Sequence, residues 1–183
     1  MPFLPTRPRV YLAGPDVFFP DALARGATLR ALCTEFGFEG LFPLDAPAPA
    51  DASSPARFAR RIFEANLGLI RRADAVLANL QDFRGHEPDS GTAFEVGFAA
   101  ALGLPVWAYG APAVPIVEQV PGDAAGRDAQ GYLVEDFGMS RNLMLACAAR
   151  VVPGDARACL AQMRATWPAV QSEPEANHAH PSR

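Results

Sequence analysis

The chain has 183 residues, half of them hydrophobic and a fifth charged, which predicts one folded domain with a sizeable core and excludes a disordered chain. Its formal charge is −4 with Lys and Arg scattered, which argues against a nucleic-acid polymer as partner. No apolar run approaches the roughly 20 residues of a membrane span, and the start, Met1 to Arg9, carries no signal-peptide core, so a cytoplasmic protein with no membrane partner is expected. Cys33, Cys147 and Cys159 are odd in number and sit among apolar neighbours, and they read as reduced core residues rather than disulfide or metal ligands.

Arg9 to Gly14 is a short β-favouring run that stops at Gly14-Pro15, and it predicts the first strand. Ala22 to Phe36 has the apolar spacing of a helix and is followed by Gly37, a common helix stop. Phe38 to Phe42 fits a second strand. Ala46 to Pro55, with three prolines, predicts an exposed loop. The order then clears: Ala56 to Arg72 helix, Asp74 to Leu80 strand, Ser90 to Leu102 helix, Pro105 to Tyr109 strand. That alternation predicts an α/β fold whose parallel sheet carries helices on both faces. Ala111 to Gly131, rich in Pro, Gly and Asp, reads as a long excursion, and Asn142 to Ala149 and Ala156 to Thr166 as helices. Gln171 to Arg183 is polar and reads as a loose end, with His178 and His180 solvated rather than bound to metal.

Ligands of open parallel sheets bind beyond the carboxyl ends of the strands, which directs attention to the loops after Ala13, Leu80 and Tyr109. The first, Gly14-Pro15-Asp16-Val17-Phe18-Phe19-Pro20, sets one acid among aromatics and suits a flat apolar ligand with a few polar atoms. The second leads into Ser90-Gly91-Thr92-Ala93-Phe94-Glu95, where Asp89 or Ser90 would cap the helix. Glu95 falls in the first turns of that helix, whose dipole favours the ionised carboxylate that a nucleophile needs, and Gly91 and Ala99 leave room beside it. The same pattern is compatible with a plain cap and a surface glutamate, and Tyr11 alone is compatible with the core.

Three segments resemble the nucleoside 2-deoxyribosyltransferase family in order and rough spacing. They are Val10-Tyr11-Leu12-Ala13-Gly14-Pro15, Phe83-Arg84-Gly85 with Pro88-Asp89-Ser90-Gly91-Thr92-Ala93-Phe94-Glu95-Val96-Gly97, and Asn142-Leu143-Met144. The resemblance implies a flavodoxin-like, doubly wound parallel sheet of about five strands, in a single domain over residues 1–170 with 171–183 as a flexible tail. It implies Glu95 as nucleophile, Asp89 as the acid that assists the leaving base, and Tyr11 as the hydroxyl that holds Glu95. It places Asn66 where some members carry an acid, and an amide there can hydrogen-bond the substrate but cannot act as an acid. Asn142 matches a residue that reaches into a neighbouring subunit's active site and contacts the sugar 5'-hydroxyl, which implies a homo-oligomer; Asp16 and Phe18 have looser counterparts in the base-binding loop, and Gly14 of the first-strand motif is assigned to substrate binding with them.

The reaction so implied is exchange of the base of a 2'-deoxynucleoside for a free nucleobase, by retaining double displacement, in nucleotide salvage, without metal or cofactor. An ordinary glutamate, with a pKa of about 4.3, would already be ionised at neutral pH, whereas an aspartate would need raising from about 3.9 to serve as an acid. Two alternatives stand beside it. One is a hydrolase acting on deoxynucleoside 5'-monophosphates, for whose phosphate Ser140 and Arg141 are the candidates. The other is a nucleotide-sensing module without catalysis. A flavoprotein fits less well, because the first loop lacks a phosphate cradle.

Overall fold

The computed structural model describes residues 7–45 and 54–168. Five strands, β1 (Arg9–Ala13), β2 (Glu39–Leu41), β3 (Ala75–Asn79), β4 (Val106–Tyr109) and β5 (Arg150–Val151), form one sheet in the order β2-β1-β3-β4-β5, and every pairing is parallel. That order is the flavodoxin-like one, whose switch point lies between β1 and β3. Six helices connect or flank them: α1 (Ala22–Glu35), α2 (Pro55–Arg72), α3 (Ser90–Ala101), α4 (Ile116–Gln119), α5 (Leu143–Ala148) and α6 (Ala156–Thr166).

Strand alternation divides the core in two. Val10, Leu12, Ala75, Leu77, Trp107 and Tyr109 face one side with Cys33 of α1 and Cys159, Leu160 and Met163 of α6. Tyr11, Ala13, Val76, Ala78, Val106 and Ala108 face the other with Leu69 and Ile70 of α2, Val96 and Ala99 of α3 and Leu145 of α5. A sheet covered on both faces explains why the strands read as continuous apolar runs rather than as an apolar–polar alternation. Gly37, at φ +81°, stops α1 in the left-handed region that favours glycine.

The predicted elements agree with these within one or two residues, and three details differ. β5 has only two residues, too short to leave a pattern. Ala111 to Gly131 contains the single turn of α4, followed by turns tied by the Asp123 and Asp128 carboxylates to backbone amides. Pro55 opens α2 behind the Ser54 side chain, which accepts from Arg57 N, so it belongs to the helix rather than to the preceding loop; Pro is at home there because the first helical N–H has no partner. Residues 46–53 and the tail from 171, with His178 and His180, lie outside the described residues. Cys33 and Cys159 are buried as expected, and burial pushes both thiols up to about 12. Cys147 is exposed instead, on the solvent side of a six-residue helix. Among the described residues no helix is long and apolar enough to cross a membrane.

Candidate active site

Beyond the carboxyl ends of β1 and β3 lies an open cavity of about 680 Å3, its walls supplied by Gly14, Val17, Phe18 and Leu23, by Pro43 and Leu44, by Phe58, Arg61, Ile62, Ala65 and Asn66 of α2, and by Asp89, Gly91 and Glu95. The walls are chiefly apolar, and the acids converge at the start of α3. A site for a small, flat molecule has this character.

Tyr11 stands in the centre of β1 and is fully buried. Its hydroxyl donates to Glu95 Oε1 at 2.6 Å, so a strand residue and a helix residue 84 positions apart meet beneath the cavity. The backbone dictates the meeting, because Tyr11 alternates onto the α3 face of the sheet and Glu95 lies one turn after Gly91, next to Val96, which packs on that face. Burial pushes the Glu95 carboxyl up to about 7; the Tyr11 hydrogen bond works against that rise and the nearby Asp89 charge adds to it. The expectation of a freely ionised carboxylate is therefore corrected. The helix dipole favours the charge, but removal from water outweighs it. Burial and the Glu95 charge likewise hold the Tyr11 phenol far above its ordinary range, so it remains a donor.

Asp89 is buried and caps α3: its Oδ2 accepts from Thr92 N at 2.8 Å and from Thr92 Oγ1 at 3.1 Å. Oδ1 takes no hydrogen bond among the described residues. A side chain on Gly91 would bring its Cβ within 3.0 Å of Asp89 Oδ2, so glycine preserves the approach to both acids. Ala99, expected to leave similar room, is wholly buried against the sheet and does not line the cavity. Asn66 does line it, and its Oδ1 is buried without a hydrogen-bond partner among the described residues. An unmet buried acceptor costs on the order of 1–3 kcal/mol until a donor reaches it.

In the first loop, Phe18 is half-exposed and stacks on Phe83 of the second loop at 5.2 Å between ring centres, while the Arg84 guanidinium lies 4.7 Å over Phe83. Phe19 is instead covered by Arg25, 3.7 Å above its ring. Asp16 does not line the cavity: Oδ2 accepts from Asn79 Nδ2 at 3.0 Å and Oδ1 from Arg25 at 3.3 Å. Asn79, the last residue of β3, also binds Gln81 through backbone and side chain. A Cβ on Gly14 would lie 2.8 Å from Asn79 Cβ, so Gly14 is held to glycine by packing as well as by its place in the cavity wall. Asn142 lies outside the cavity lining, at the N-cap of α5.

The roles of two residues escaped the sequence reading. Asn79 left one signal, a single amide ending an otherwise apolar strand. Arg141, considered there as a phosphate ligand, is fully buried. It donates to Leu80 O at 2.8 and 2.6 Å, to His86 O at 2.7 Å, to Gln119 Oε1 at 3.2 Å and to Asp82 Oδ1 at 2.6 Å. It clamps the loop that leads to Asp89 and has no donor to spare for a ligand phosphate. Ser140 lines a separate, smaller cavity of about 290 Å3 near Pro112 and Pro153.

The family model for nucleoside 2-deoxyribosyltransferases matches residues 10–144. A solved 2-desoxiribosyltransferase from Leishmania mexicana is similar to the chain at 36% identity and a TM-score of 0.73, with 88% of this chain and 99% of that one covered. A conserved protein from Enterococcus faecalis shares the fold at 24% identity and a TM-score of 0.55, covering 86% of this chain and 99% of its own. An uncharacterized protein of Schizosaccharomyces pombe is 29% identical over 157 residues, which is 75% of this chain and 74% of that protein. With the match spanning β1, the Tyr11–Glu95 pair, Asp89 and the cap of α5, the chain belongs to the nucleoside 2-deoxyribosyltransferase family.

Proposed function

We propose that the protein exchanges the base of 2'-deoxynucleosides for a free nucleobase through a covalent deoxyribosyl-Glu95 intermediate, a salvage reaction. The observation that carries this is the 2.6 Å bond from Tyr11 to Glu95 at the floor of an apolar cavity. Glu95 Oε attacks the anomeric carbon as the glycosidic C–N bond breaks. The bonding electrons leave with the base, and Asp89, through the oxygen not used in the helix cap, assists its protonation. A second base attacks the same carbon, expels the Glu95 carboxylate and restores the configuration. A carboxyl raised to about 7 is more basic than an exposed one and still ionised in a large fraction of molecules at neutral pH. Tyr11 keeps one oxygen engaged and leaves the other for attack.

Asn66 supplies a hydrogen-bonding amide for the substrate, Phe18 and Gly14 border the base, and Asp16 supports that loop from behind through Asn79. A 2'-hydroxyl would crowd the Tyr11–Glu95 pair, which favours deoxy sugars. The test is incubation of 2'-deoxyinosine with adenine. Deoxyadenosine is expected from the wild type and none from Glu95→Ala; full activity in that variant overturns the nucleophile assignment.

A second reading, hydrolysis of deoxynucleoside 5'-monophosphates, rests on Arg61, the cation of the cavity lining. Release of free deoxyribose 5-phosphate from a deoxynucleotide, with no exchanged product, favours it over base exchange.

A further inference from the structure

The loop between β3 and α3 turns back on itself at residues 83–87. Its feet are tied, because Phe83 N donates to Glu87 O at 2.9 Å and Arg141 donates to His86 O at 2.7 Å. The tip is Arg84 and Gly85, at φ +56° and +138°. Glycine adopts that region freely. Arg84 is the one residue other than glycine with positive φ among the described residues, a conformation that costs free energy and persists where the side chain gains more than the backbone loses. What Arg84 gains is a place over two rings. Its guanidinium lies 4.7 Å from the centre of Phe83 and 5.8 Å from that of Phe18, within reach of a cation–π contact, and the two rings stack at 5.2 Å with 26° between their planes. Of the three side chains only Phe18 lines the cavity, and it remains 56% exposed.

We propose that Phe83 and Arg84 are positioning residues for base recognition: they hold the Phe18 ring as the surface on which a nucleobase stacks in the cavity. The proposal rests on the deoxynucleoside reading above. Phe18 ends a single helical turn, Pro15–Phe18, and an exposed ring there would lose rotamer freedom each time a base stacked on it. Held by Phe83 and Arg84, it meets the base already oriented. Stacking on an aromatic ring accepts any flat base, because every base has a π-face. Base exchange needs that tolerance, since one pocket must release one base and receive another, whereas a site built only from hydrogen bonds would suit a single base.

The experiment measures kcat and the KM for adenine at saturating 2'-deoxyinosine in the wild type, Phe83→Leu, Phe83→Tyr and Arg84→Gly, with urea unfolding of each. Phe83→Leu keeps the apolar bulk and loses the stack, and KM is expected to rise about 5-fold with kcat kept. Arg84→Gly removes the guanidinium while relieving the backbone, so a rise of about 3-fold is expected at wild-type stability. Phe83→Tyr keeps the stack and is expected to keep the wild-type KM. An unchanged KM in Phe83→Leu or in Arg84→Gly overturns the proposal. So does a fall in kcat alone, or a Phe83→Tyr no better than Phe83→Leu, since either leaves the pair a plain support for the loop to Asp89. Should Phe83→Leu fail to fold, Arg84→Gly decides by the same KM. A wild type that exchanges no base at all overturns the deoxynucleoside reading itself, and this proposal with it, an outcome distinct from exchange with an unaltered KM.

Discussion

At Glu95 the same burial that shapes the pocket also tunes the carboxyl proposed as nucleophile. Its carboxyl is raised from an ordinary 4.5 to about 7 because the folded chain withholds water from its charge. In the unfolded chain the group titrates normally, so the folded state carries no penalty below about pH 4.5; the penalty develops as pH rises from about 4.5 to 7 and is complete above 7. Glu95→Gln, which keeps an acceptor for the Tyr11 hydroxyl, is therefore expected to be more stable than the wild type by on the order of 2–3 kcal/mol above pH 7. Urea unfolding should show that gap closing by pH 4.5; a gap independent of pH would contradict the assignment. The acid limb of kcat/KM should have its midpoint near 7 for the same reason. The spacing of Asp89 and Glu95 is legible in the sequence because it is local to one motif, whereas the pairing of Tyr11 with Glu95, 84 positions apart, was expected only from the family resemblance. The ionisation of Glu95 was misjudged, because burial is created by segments far apart in the chain.

The loop from Gln81 to Pro88 leads to Asp89, and its Phe83 stacks on Phe18 of the first loop. Its shape comes from Arg141, whose guanidinium fills the space between Leu80, Asp82, His86 and Gln119. Arg141→Met would leave the Leu80 and His86 carbonyls without their buried donor, and a loss of about 3–5 kcal/mol is expected in chemical unfolding. A loss below 1 kcal/mol would mean that the loop holds its form unaided. Nothing local announces this clamp: Ser140-Arg141-Asn142 reads equally well as a polar turn before a helix. Asp16 teaches the converse. An acid in an aromatic loop looks like a ligand contact, yet in the fold it meets Asn79 and Arg25, because β1 and β3 end side by side.

For the molecule as a whole, alternation of strands and helices was enough to foresee a parallel sheet with helices on both faces, since parallel neighbours need crossover connections, while the doubly wound order was expected from the family resemblance. The two-residue β5 and the turns after α4 were not legible, because so short a pairing depends on its neighbour rather than on its own residues. If Asn142 serves a neighbouring site, two damaged copies can repair each other. Mixing Glu95→Ala with Asn142→Ala under conditions of subunit exchange should raise activity towards about a quarter of the wild-type value in a symmetric dimer, since each mixed pair contains one intact site. Activity equal to the mean of the separate variants would place Asn142 in its own subunit's site or outside the reaction.

The clamp also imposes an order on the making of the enzyme. Tyr11, Asp89 and Glu95 leave the ribosome before the side chain that fixes the loop leading to Asp89, which is residue 141, and before the strand at the sheet edge, 150–151. A nascent chain that has emerged as far as Tyr109 carries Tyr11, Asp89, Glu95 and four of the five described strands, yet lacks the guanidinium that ties the Gln81–Pro88 loop to Leu80 and His86. If the protein acts on nucleosides as proposed, 2'-deoxyinosine added to stalled chains of increasing length should protect the loop from proteolysis only once Arg141 is free of the ribosomal tunnel.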